Sequence, residues 1–284
     1  MKVEPIGRIQ AQWGEGPIWS NGRLLWVDIE GKKVFVSDPE KNEDRILEIG
    51  ERVGTVVPRK SGGLVIAGDN GFSFVDLETE TVIPIADPEP EKKPDNRFND
   101  GKCDPAGRFW AGTISTVRKT GDAALYMMDT GHKVHLKYAN ITNSNGLCWS
   151  TDTQTFYYID TPSKKVRKFD FDNTTGQISN ECIAIDTREI AGSPDGMTID
   201  SQDNLWIAFC RGSMVLCFDP TTGKVLENIT LPVTGVTACA FGGKSLDTLY
   251  ITTGQFKGLE EKDAGKLFTV QPGIAGVPSF CYAG

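Results

Sequence analysis

The stretch Asn21-Gly22-Arg23-Leu24-Leu25-Trp26 decides the fold class, because a recognisable copy of it returns at near-regular intervals along the chain. Each copy is a polar or glycine-containing turn followed by an apolar run that ends in a large side chain. The later copies occupy residues 62–66, 106–110, 155–158, 203–206 and 247–250. The final residues of the copies, at positions 26, 66, 110, 158, 206 and 250, are spaced 40, 44, 48, 48 and 44 residues apart. Short β-branched and aromatic runs between turn residues, with almost no helical periodicity, indicate an all-β protein.

A repeat of about 45 residues fits one four-stranded blade of a β-propeller, and 284 residues accommodate six such blades. We therefore predict a six-bladed β-propeller that forms a single domain over residues 1–284. Residues 2–10 precede the first repeat and are expected to close the ring by adding a strand to the last blade. The acidic, Pro-rich segment 87–96 is expected to be a surface loop at the mouth of the channel. Hairpin turns that begin with Asp are expected at positions 38, 76, 172 and 219.

The composition argues against several classes of protein. The chain has 30 Lys and Arg against 38 Asp and Glu, a net charge of −8 without any basic cluster, so we expect no nucleic-acid partner. No apolar run approaches the roughly 18 residues that a membrane span needs, and the first residues lack the apolar stretch of a signal peptide. The seven Cys form no Cys-x-x-Cys pair and mostly lie in apolar runs, which is typical of reduced thiols. We expect an acidic, cytoplasmic, monomeric protein with a small-molecule partner and no membrane partner.

Four polar residues occupy the same phase of the repeat. Glu15, Asn99, Asn145 and Asp195 lie 11, 11, 13 and 11 residues before the final residue of their copy, where the innermost strand of a blade begins. Because innermost strands converge on a central channel, these side chains are expected to meet there. Taken singly, a Glu-Gly, Asn-Gly or Asp-Gly pair is more simply a turn, but four in one phase favour a shared site. Oxygen donors without His or Cys indicate a hard divalent cation such as Ca²⁺, Mg²⁺ or Mn²⁺, although zinc can also occupy such a site.

Other motifs favour structural roles. His132 and His135 are the only histidines and fall where an outer strand is expected, so we interpret them as part of a solvated strand face rather than a zinc site. The segment 170–181 mimics EF-hand spacing, but Thr175 stands where such a loop needs Gly, which indicates a hairpin turn. No Gly-x-Ser-x-Gly, P-loop or Gly-x-Gly-x-x-Gly sequence occurs, and with both His outside the channel a Ser-His-Asp or Cys-His mechanism is poorly supported.

Several stretches around these positions share a wider pattern: GEGPIW from Gly14, NRFNDGKCDPAGRFWAGT from Asn96, SNGLCW from Ser144, PDGM from Pro194 and CAFGG from Cys239. In these stretches, and over nearly its whole length, the sequence resembles the family of regucalcin (senescence marker protein), gluconolactonases and the firefly luciferin-regenerating enzyme. The resemblance implies a six-bladed propeller with one divalent cation in the channel, in agreement with the repeat.

The resemblance also implies roles for individual residues. Glu15, Asn145 and Asp195 match the family's metal ligands, Arg97 and Asn99 match its substrate-binding pair, and Asp195 matches the general base. The expected ion is Ca²⁺, with Zn²⁺, Mn²⁺ and Mg²⁺ as alternatives. The expected substrate is a lactone, because members of the family hydrolyse sugar lactones such as gluconolactone.

The chain departs from that pattern at one place. The family's regucalcins carry a substrate-facing Glu after the Ala-Gly-Thr stretch, whereas this chain has Ser-Thr-Val-Arg-Lys at 115–119 and no acid before Asp122. The main hypothesis is therefore a metal-dependent, gluconolactonase-like lactonase whose sugar specificity is open. The alternatives are a non-catalytic calcium-binding or regulatory propeller, and a luciferin-regenerating or phosphotriesterase-type hydrolase that uses the same metal site.

Overall fold

Six antiparallel four-stranded sheets are arranged as the blades of a β-propeller, which confirms the predicted fold. The structure, a computed structural model, describes residues 2–284. Blade 1 contains β2 (Gly14–Ser20), β3 (Arg23–Asp28), β4 (Lys33–Asp38) and β5 (Glu43–Glu48). Blade 2 contains β6 (Val53–Pro58), β7 (Leu64–Gly68), β8 (Gly71–Val75) and β9 (Val82–Ala86). Blade 3 contains β10 (Asn96–Cys103), β11 (Phe109–Ser115), β12 (Ala123–Met128) and β13 (Val134–Ile141).

The second half of the chain repeats this order. Blade 4 contains β14 (Ser144–Trp149), β15 (Thr155–Asp160), β16 (Lys165–Asp172) and β17 (Gln177–Asp186). Blade 5 contains β18 (Ser193–Ile199), β19 (Leu205–Cys210), β20 (Met214–Phe218) and β21 (Val225–Thr230). Blade 6 contains β22 (Gly235–Gly242), β23 (Thr248–Gly254), β24 (Leu267–Val270) and β1 (Glu4–Ile6). The first strand of each blade in this order, from β2 to β22, is the innermost one. Because the strands are antiparallel, the loop between the second and third strands lies at the end of the channel where the innermost strand begins.

The ring closes where β1 pairs antiparallel with β24, Pro5 standing opposite Phe268. This confirms the role predicted for residues 2–10. Pairing covers the outer edge of β24 and gives blade 6 its fourth strand.

The core lies between blades. The six residues that end the sequence repeat are all buried on second strands: Trp26, Ile66, Trp110, Tyr158, Trp206 and Tyr250. The buried apolar side chains form six clusters, and each of these clusters contains residues of at least two neighbouring blades. Burial of large apolar side chains is the main favourable term in folding, so the clusters that stabilise each blade also fix its position against the next one.

Two buried carboxylates hold the indole groups in place. Asp104 accepts hydrogen bonds from Trp110 Nε1 at 2.8 Å and from the backbone N–H of Arg108 at 2.9 Å. Asp200 accepts from Trp206 Nε1 at 2.9 Å in the equivalent place of blade 5. Both carboxylates precede their Trp by six positions and connect the turn to the second strand. Their role is therefore structural.

The segment after β24, residues 271–284, crosses the end of the propeller opposite the mouth; we call it the closing segment. Gly276 forms a bridge with Asp200 of blade 5, and Tyr282 forms one with Arg59 of blade 2. The Tyr282 ring is fully buried, and its hydroxyl donates to the carbonyl oxygen of Asp129 in blade 3 at 2.7 Å. The closing segment therefore ties together blades that are distant in the sequence.

The smaller predictions are mostly confirmed. Asp172 and Asp219 accept backbone N–H groups two residues ahead at 2.8 Å and so form the predicted turns. His135 lies on the outer strand β13 and is exposed, but His132 lies in the turn before it and contacts the Tyr282 hydroxyl at 2.7 Å. All seven Cys are free, and four of them are buried, whereas Cys182 is exposed.

The segment 87–96 is a loop between β9 and β10 that contains a short 3₁₀ helix, Pro90–Lys92. Its Glu89 is buried and accepts from the Tyr126 hydroxyl at 2.9 Å, so the loop is anchored to blade 3. No helix within residues 2–284 is long and apolar enough to cross a membrane. The cytoplasmic location, the monomeric state and the absence of a nucleic-acid partner stay predictions.

Candidate functional site

A β-bulge interrupts every innermost strand near its beginning, and these bulges position the predicted site residues. The register shifts between Glu15 and Ile18 in β2, between Phe98 and Asp100 in β10, and between Asn145 and Leu147 in β14. In β18 it shifts between Pro194 and Met197. A bulge bends its strand and re-aims a side chain. The phase recognised in the sequence therefore corresponds to a structural feature, and the Glu-Gly, Asn-Gly and Asp-Gly pairs stand at bulges within strands rather than at hairpin turns.

Glycines at the bulges let neighbouring innermost strands approach each other. A Cβ on Gly146 would lie 2.7 Å from the carbonyl oxygen of Asp195, and a Cβ on Gly196 would lie 2.3 Å from the Cβ of Ala238. Any larger residue at either position would push the strands apart. Gly146 therefore allows the direct contact between the strands of Asn145 and Asp195, and Gly196 allows the contact of β18 with β22.

Three carboxylates are buried together around the channel. Glu15, Asp100 and Asp195 are 4%, 3% and 7% exposed. Burial, followed by the charge of Asp100, raises the pKa of Glu15 to about 8. Burial, followed by the charges of Glu15 and Asp100, raises the pKa of Asp195 well above its ordinary value. A shift in this direction means that the surroundings disfavour a second negative charge.

Few protein groups compensate these charges. Glu15 accepts one hydrogen bond, from the backbone N–H of Gly16 at 2.9 Å, and Asp195 accepts none from residues 2–284. Within the same residues, neither carboxylate has a Lys or Arg nitrogen within 4.0 Å. The nearby ammonium of Lys102 donates instead to the carbonyl oxygen of Met197. Two adjacent buried carboxylates with almost no donors are unfavourable on their own and fit a bound cation.

The donor set further restricts which ion fits. No three His, Cys, Asp or Glu side chains of residues 2–284 converge as a metal-binding group. The family resemblance implies that a cation here would be held by the carboxylates of Glu15 and Asp195 and by the amide oxygen of Asn145. This oxygen-only set suits Ca²⁺, Mg²⁺ or Mn²⁺ and leaves coordination positions open for other molecules.

A hydrogen-bond network links the predicted substrate-binding pair to this set. The Asn99 amide nitrogen donates to Asn145 Oδ1 at 3.0 Å and to the carbonyl oxygen of Ser144 at 2.7 Å, while Asn99 Oδ1 accepts from Arg97 at 2.9 Å. Asn99 thus orients both Arg97 and Asn145, and a direct contact with substrate stays a prediction. Arg97 Nε is buried and has no hydrogen-bond partner among residues 2–284, which is uncommon for a buried donor in a folded protein.

All five predicted site residues line one cavity of about 600 Å³ at the mouth of the channel: Glu15, Arg97, Asn99, Asn145 and Asp195. Its wall also includes Trp13 and Phe256 on one side and Thr161 on another. Ligand cavities typically combine an apolar wall with a few convergent polar groups. The structure therefore gives the carboxylates and the Arg97 guanidinium access to the same small molecule.

A model of the family described as "SMP-30/Gluconolactonase/LRE-like region" matches residues 13–255, which contain all five predicted site residues. The chain belongs to this family. Among its relatives is a regucalcin from Danio rerio, which is 40% identical over 295 residues and is matched over 99% of its length by 100% of this chain. A protein of Bacillus subtilis named putative sugar lactone lactonase YvrE is 37% identical over 279 residues, with 95% of each chain covered.

Solved structures within the SMP-30/gluconolactonase/LRE-like family have the same architecture. A luciferin-regenerating enzyme superposes with a TM-score of 0.92 at 28% identity, and 99% of each chain is covered. The family resemblance predicted from the quoted motifs is thus confirmed, and the relatives indicate a hydrolase of the lactonase type.

Three residues in or beside the cavity were not predicted from the sequence: Asp100, which is buried next to the site, and Arg118 and Arg211, which line the cavity. Asp100 follows Asn99 directly, but the bulge buries both neighbours where a regular strand would turn one of them away. Arg118 and Arg211 line the mouth from two separate loops. No spacing rule brings those loops together, so only the closed ring reveals them.

Proposed function

We propose that this protein is a metal-dependent lactonase that opens a lactone ring at the mouth of its channel. The observation that carries the proposal is the pair of buried, uncompensated carboxylates, Glu15 and Asp195, which line the same cavity as Arg97. Family membership supports the reaction class, since one relative is named as a sugar lactone lactonase. The ligands proposed for the cation are Glu15, Asn145 and Asp195, and the ion proposed first is Ca²⁺.

The bound cation supplies Lewis acidity, which polarises the lactone carbonyl and makes a water molecule more acidic. Asp195 is proposed to take a proton from the attacking water, whose oxygen forms the new bond to the carbonyl carbon. As the bond from that carbon to the ring oxygen breaks, Asp195 returns a proton to the ring oxygen. The products are one hydroxyl and one carboxylic acid, and Asp195 ends the cycle in its starting state.

Two other residues orient the substrate. Arg97 presents its guanidinium group to a hydroxyl or carbonyl oxygen of the lactone, and the planar shape of this group fixes the direction of the hydrogen bond. Asn99 holds Arg97 through Oδ1 and Asn145 through Nδ2, at 2.9 Å and 3.0 Å. Positioning of this kind lowers the barrier because the reacting groups are already aligned.

The test is hydrolysis of a panel of aldonolactones by metal-stripped protein, with Ca²⁺, Mg²⁺, Mn²⁺ or Zn²⁺ added back singly. Acid release above the spontaneous rate is measured for the wild type, for Asp195→Ala and for Asp186→Ala. The last variant removes an exposed carboxylate on an outer strand and is the matched control. We expect metal-restored turnover in the wild type and the control, and a loss of more than about 100-fold in Asp195→Ala.

The outcomes separate the candidate functions. Tight metal binding by calorimetry without turnover on any lactone would favour a calcium-binding protein or a hydrolase of another ester. Substantial activity in Asp195→Ala, with metal still bound, would remove Asp195 from the role of general base.

A further inference from the structure

The mouth cavity is unusually rich in arginine for a protein of net charge −8. Arg97, Arg118 and Arg211 all line it, and its only acidic lining residues are Glu15 and Asp195. Among residues 2–284, none of the three guanidinium groups lies within 4.0 Å of a carboxylate oxygen. Unpaired arginines that line one concave surface make a favourable environment for an anion.

Arg118 is displayed by a well-anchored loop between β11 and β12. The backbone N–H of Arg118 donates to the carbonyl oxygen of Ser115 at 2.9 Å, and its φ of 60° lies in the left-handed region. The loop is attached to its surroundings by Thr116, whose backbone N–H donates to the Asp95 carbonyl oxygen at 2.7 Å, and by Gly121, whose N–H donates to Thr142 Oγ1 at 3.1 Å. The backbone that carries the Arg118 side chain is therefore fixed, while the side chain itself forms no hydrogen bond with residues 2–284.

Arg211 is held on the facing side by aromatic rings. Its guanidinium carbon lies 4.0 Å from the ring centre of Phe256, and Phe256 in turn meets Trp13 edge-on at 5.1 Å. Stacking on an aromatic face fixes the guanidinium plane and leaves its N–H edges free. Like Arg118, Arg211 stands on a loop between the second and third strands of its blade, so both approach the cavity from its rim.

The carboxylates lie on the bulged innermost strands, whereas Arg118 and Arg211 lie on rim loops. A ligand that places its reacting carbonyl by Glu15 and Asp195 therefore extends its other end towards the two arginines. We propose that Arg118 and Arg211 form a subsite for an anionic group, a carboxylate or a phosphate, on the end of the lactone away from the reacting carbonyl. This proposal rests on the lactonase function proposed above and names its substrate class, the acidic lactones.

The test compares matched substrate pairs that differ only in the distal group. The first pair is glucono-1,5-lactone and its 6-phosphate, and the second is glucono-1,4-lactone and glucaro-1,4-lactone, whose distal group is a carboxylate. For each pair, the ratio of kcat/KM for the anionic lactone to kcat/KM for the neutral lactone is measured in the presence of the activating metal. We expect a ratio of at least about 10 in one pair, since a charge-assisted contact is worth this much or more. The pair with the larger ratio distinguishes phosphate from carboxylate.

The variant Arg118→Gln/Arg211→Gln tests the residues themselves. We expect it to bring the ratio close to 1, and Arg8→Gln, an exposed and unpaired arginine outside the cavity, to leave the ratio as in the wild type. Raising the ionic strength to about 0.5 M should lower the wild-type ratio and have little effect on the double variant, because salt screens exposed charges. The two side chains are exposed and form no ion pair, so their loss does not threaten folding.

Several results would overturn the proposal. Efficient turnover of neutral lactones with a ratio near 1 in both pairs would refute the anion subsite and leave the lactonase function standing. A high ratio that survives in the double variant would show that another group recognises the anion. If no lactone is hydrolysed, the lactonase function fails, and the subsite is then judged by calorimetry with 6-phosphogluconate and gluconate. Equal affinity of the wild type for these two ligands, or a phosphate preference that the double variant retains, would refute the subsite.

Discussion

Replacing Glu15 by Gln should make the metal-free protein more stable, although the Glu15 side chain is buried in the native structure. The Gln side chain has the same shape, and its carbonyl oxygen is still able to accept the Gly16 N–H, which now lies 2.9 Å from the carboxylate. What the substitution removes is an ionisable carboxyl group that has to stay protonated while it is buried beside Asp100 and Asp195.

The size of the effect follows from the pKa of Glu15, which burial raises from 4.5 to about 8 in the metal-free protein. When folding raises the pKa of an acid, the protein has its full stability at any pH below the pKa of the unfolded chain. It loses stability as the pH rises above that value and through the pKa of the folded protein. At pH 7 the unfolded chain has released the proton and the folded protein has kept it. The 2.5 pH units between 4.5 and 7, at about 1.36 kcal/mol each, give a cost of about 3 kcal/mol. For a chain of 284 residues this corresponds to a Tm difference of about 5 °C.

The assay is thermal unfolding of the wild type, Glu15→Gln and Glu78→Gln in chelator, at pH 4 and pH 7. Glu78 is exposed and forms no ion pair within residues 2–284, so it controls for the loss of one charge. We expect Glu15→Gln to exceed the wild type at pH 7 and to match it at pH 4. Divalent cation at about 1,000 Kd should reverse the order at pH 7, because only the wild type gains the full binding energy, about 4.1 kcal/mol, which exceeds the cost of burying Glu15.

A different pattern would refute the reasoning. If Glu15→Gln lowers Tm equally at pH 4 and pH 7 without metal, the side chain acts through its shape and not through its charge. If added cation stabilises the wild type and the variant alike, Glu15 is not a ligand.

Three further predictions concern the fold. Tyr282→Phe should lower the free energy of unfolding in urea by about 1–2 kcal/mol, since it removes the hydroxyl that donates to the Asp129 carbonyl oxygen. Tyr282→Ala should lower it by about 3–5 kcal/mol, because this change also leaves a cavity where the buried ring was. Deleting residues 2–10 should expose the edge of β24, which is measured as faster amide exchange in Leu267–Val270 while exchange in blade 3 stays slow. Asp200→Ala should destabilise by about 2–4 kcal/mol, because it leaves the Trp206 indole N–H and two backbone N–H groups buried without their acceptor; a midpoint equal to that of the wild type would contradict this role.

The number of blades was predictable because each blade contains its own copy of a short sequence motif. Each blade needs its own turn and its own large buried residue, so Trp26, Trp110 and Trp206 recur at intervals that reflect blade size. The role of residues 2–10 was predictable for the same reason, since they stand outside the repeat and a ring needs a closing strand.

The site was only partly predictable. The phase of Glu15 and Asp195 in the repeat marked them, because a bulge with a following glycine leaves a local trace in the sequence. The rim arginines left no such trace: Arg118 and Arg211 depend on loop conformations and on the angle between blades 3 and 5. The closing segment was missed as well, since its contacts with Arg59 and Asp200 join residues that share no repeat phase.

The pairing of β1 with β24 also limits when this protein is able to fold in a cell. Glu4 and Thr269 are partners although they stand 265 positions apart, so β1 must wait until synthesis has reached β24 before the two strands are able to pair. At a synthesis rate of about 5–20 residues per second, that wait is roughly 15–50 s. During this time the nascent chain carries an open row of backbone N–H and carbonyl groups, and it is then that a chaperone, or another unfinished copy, has access to it.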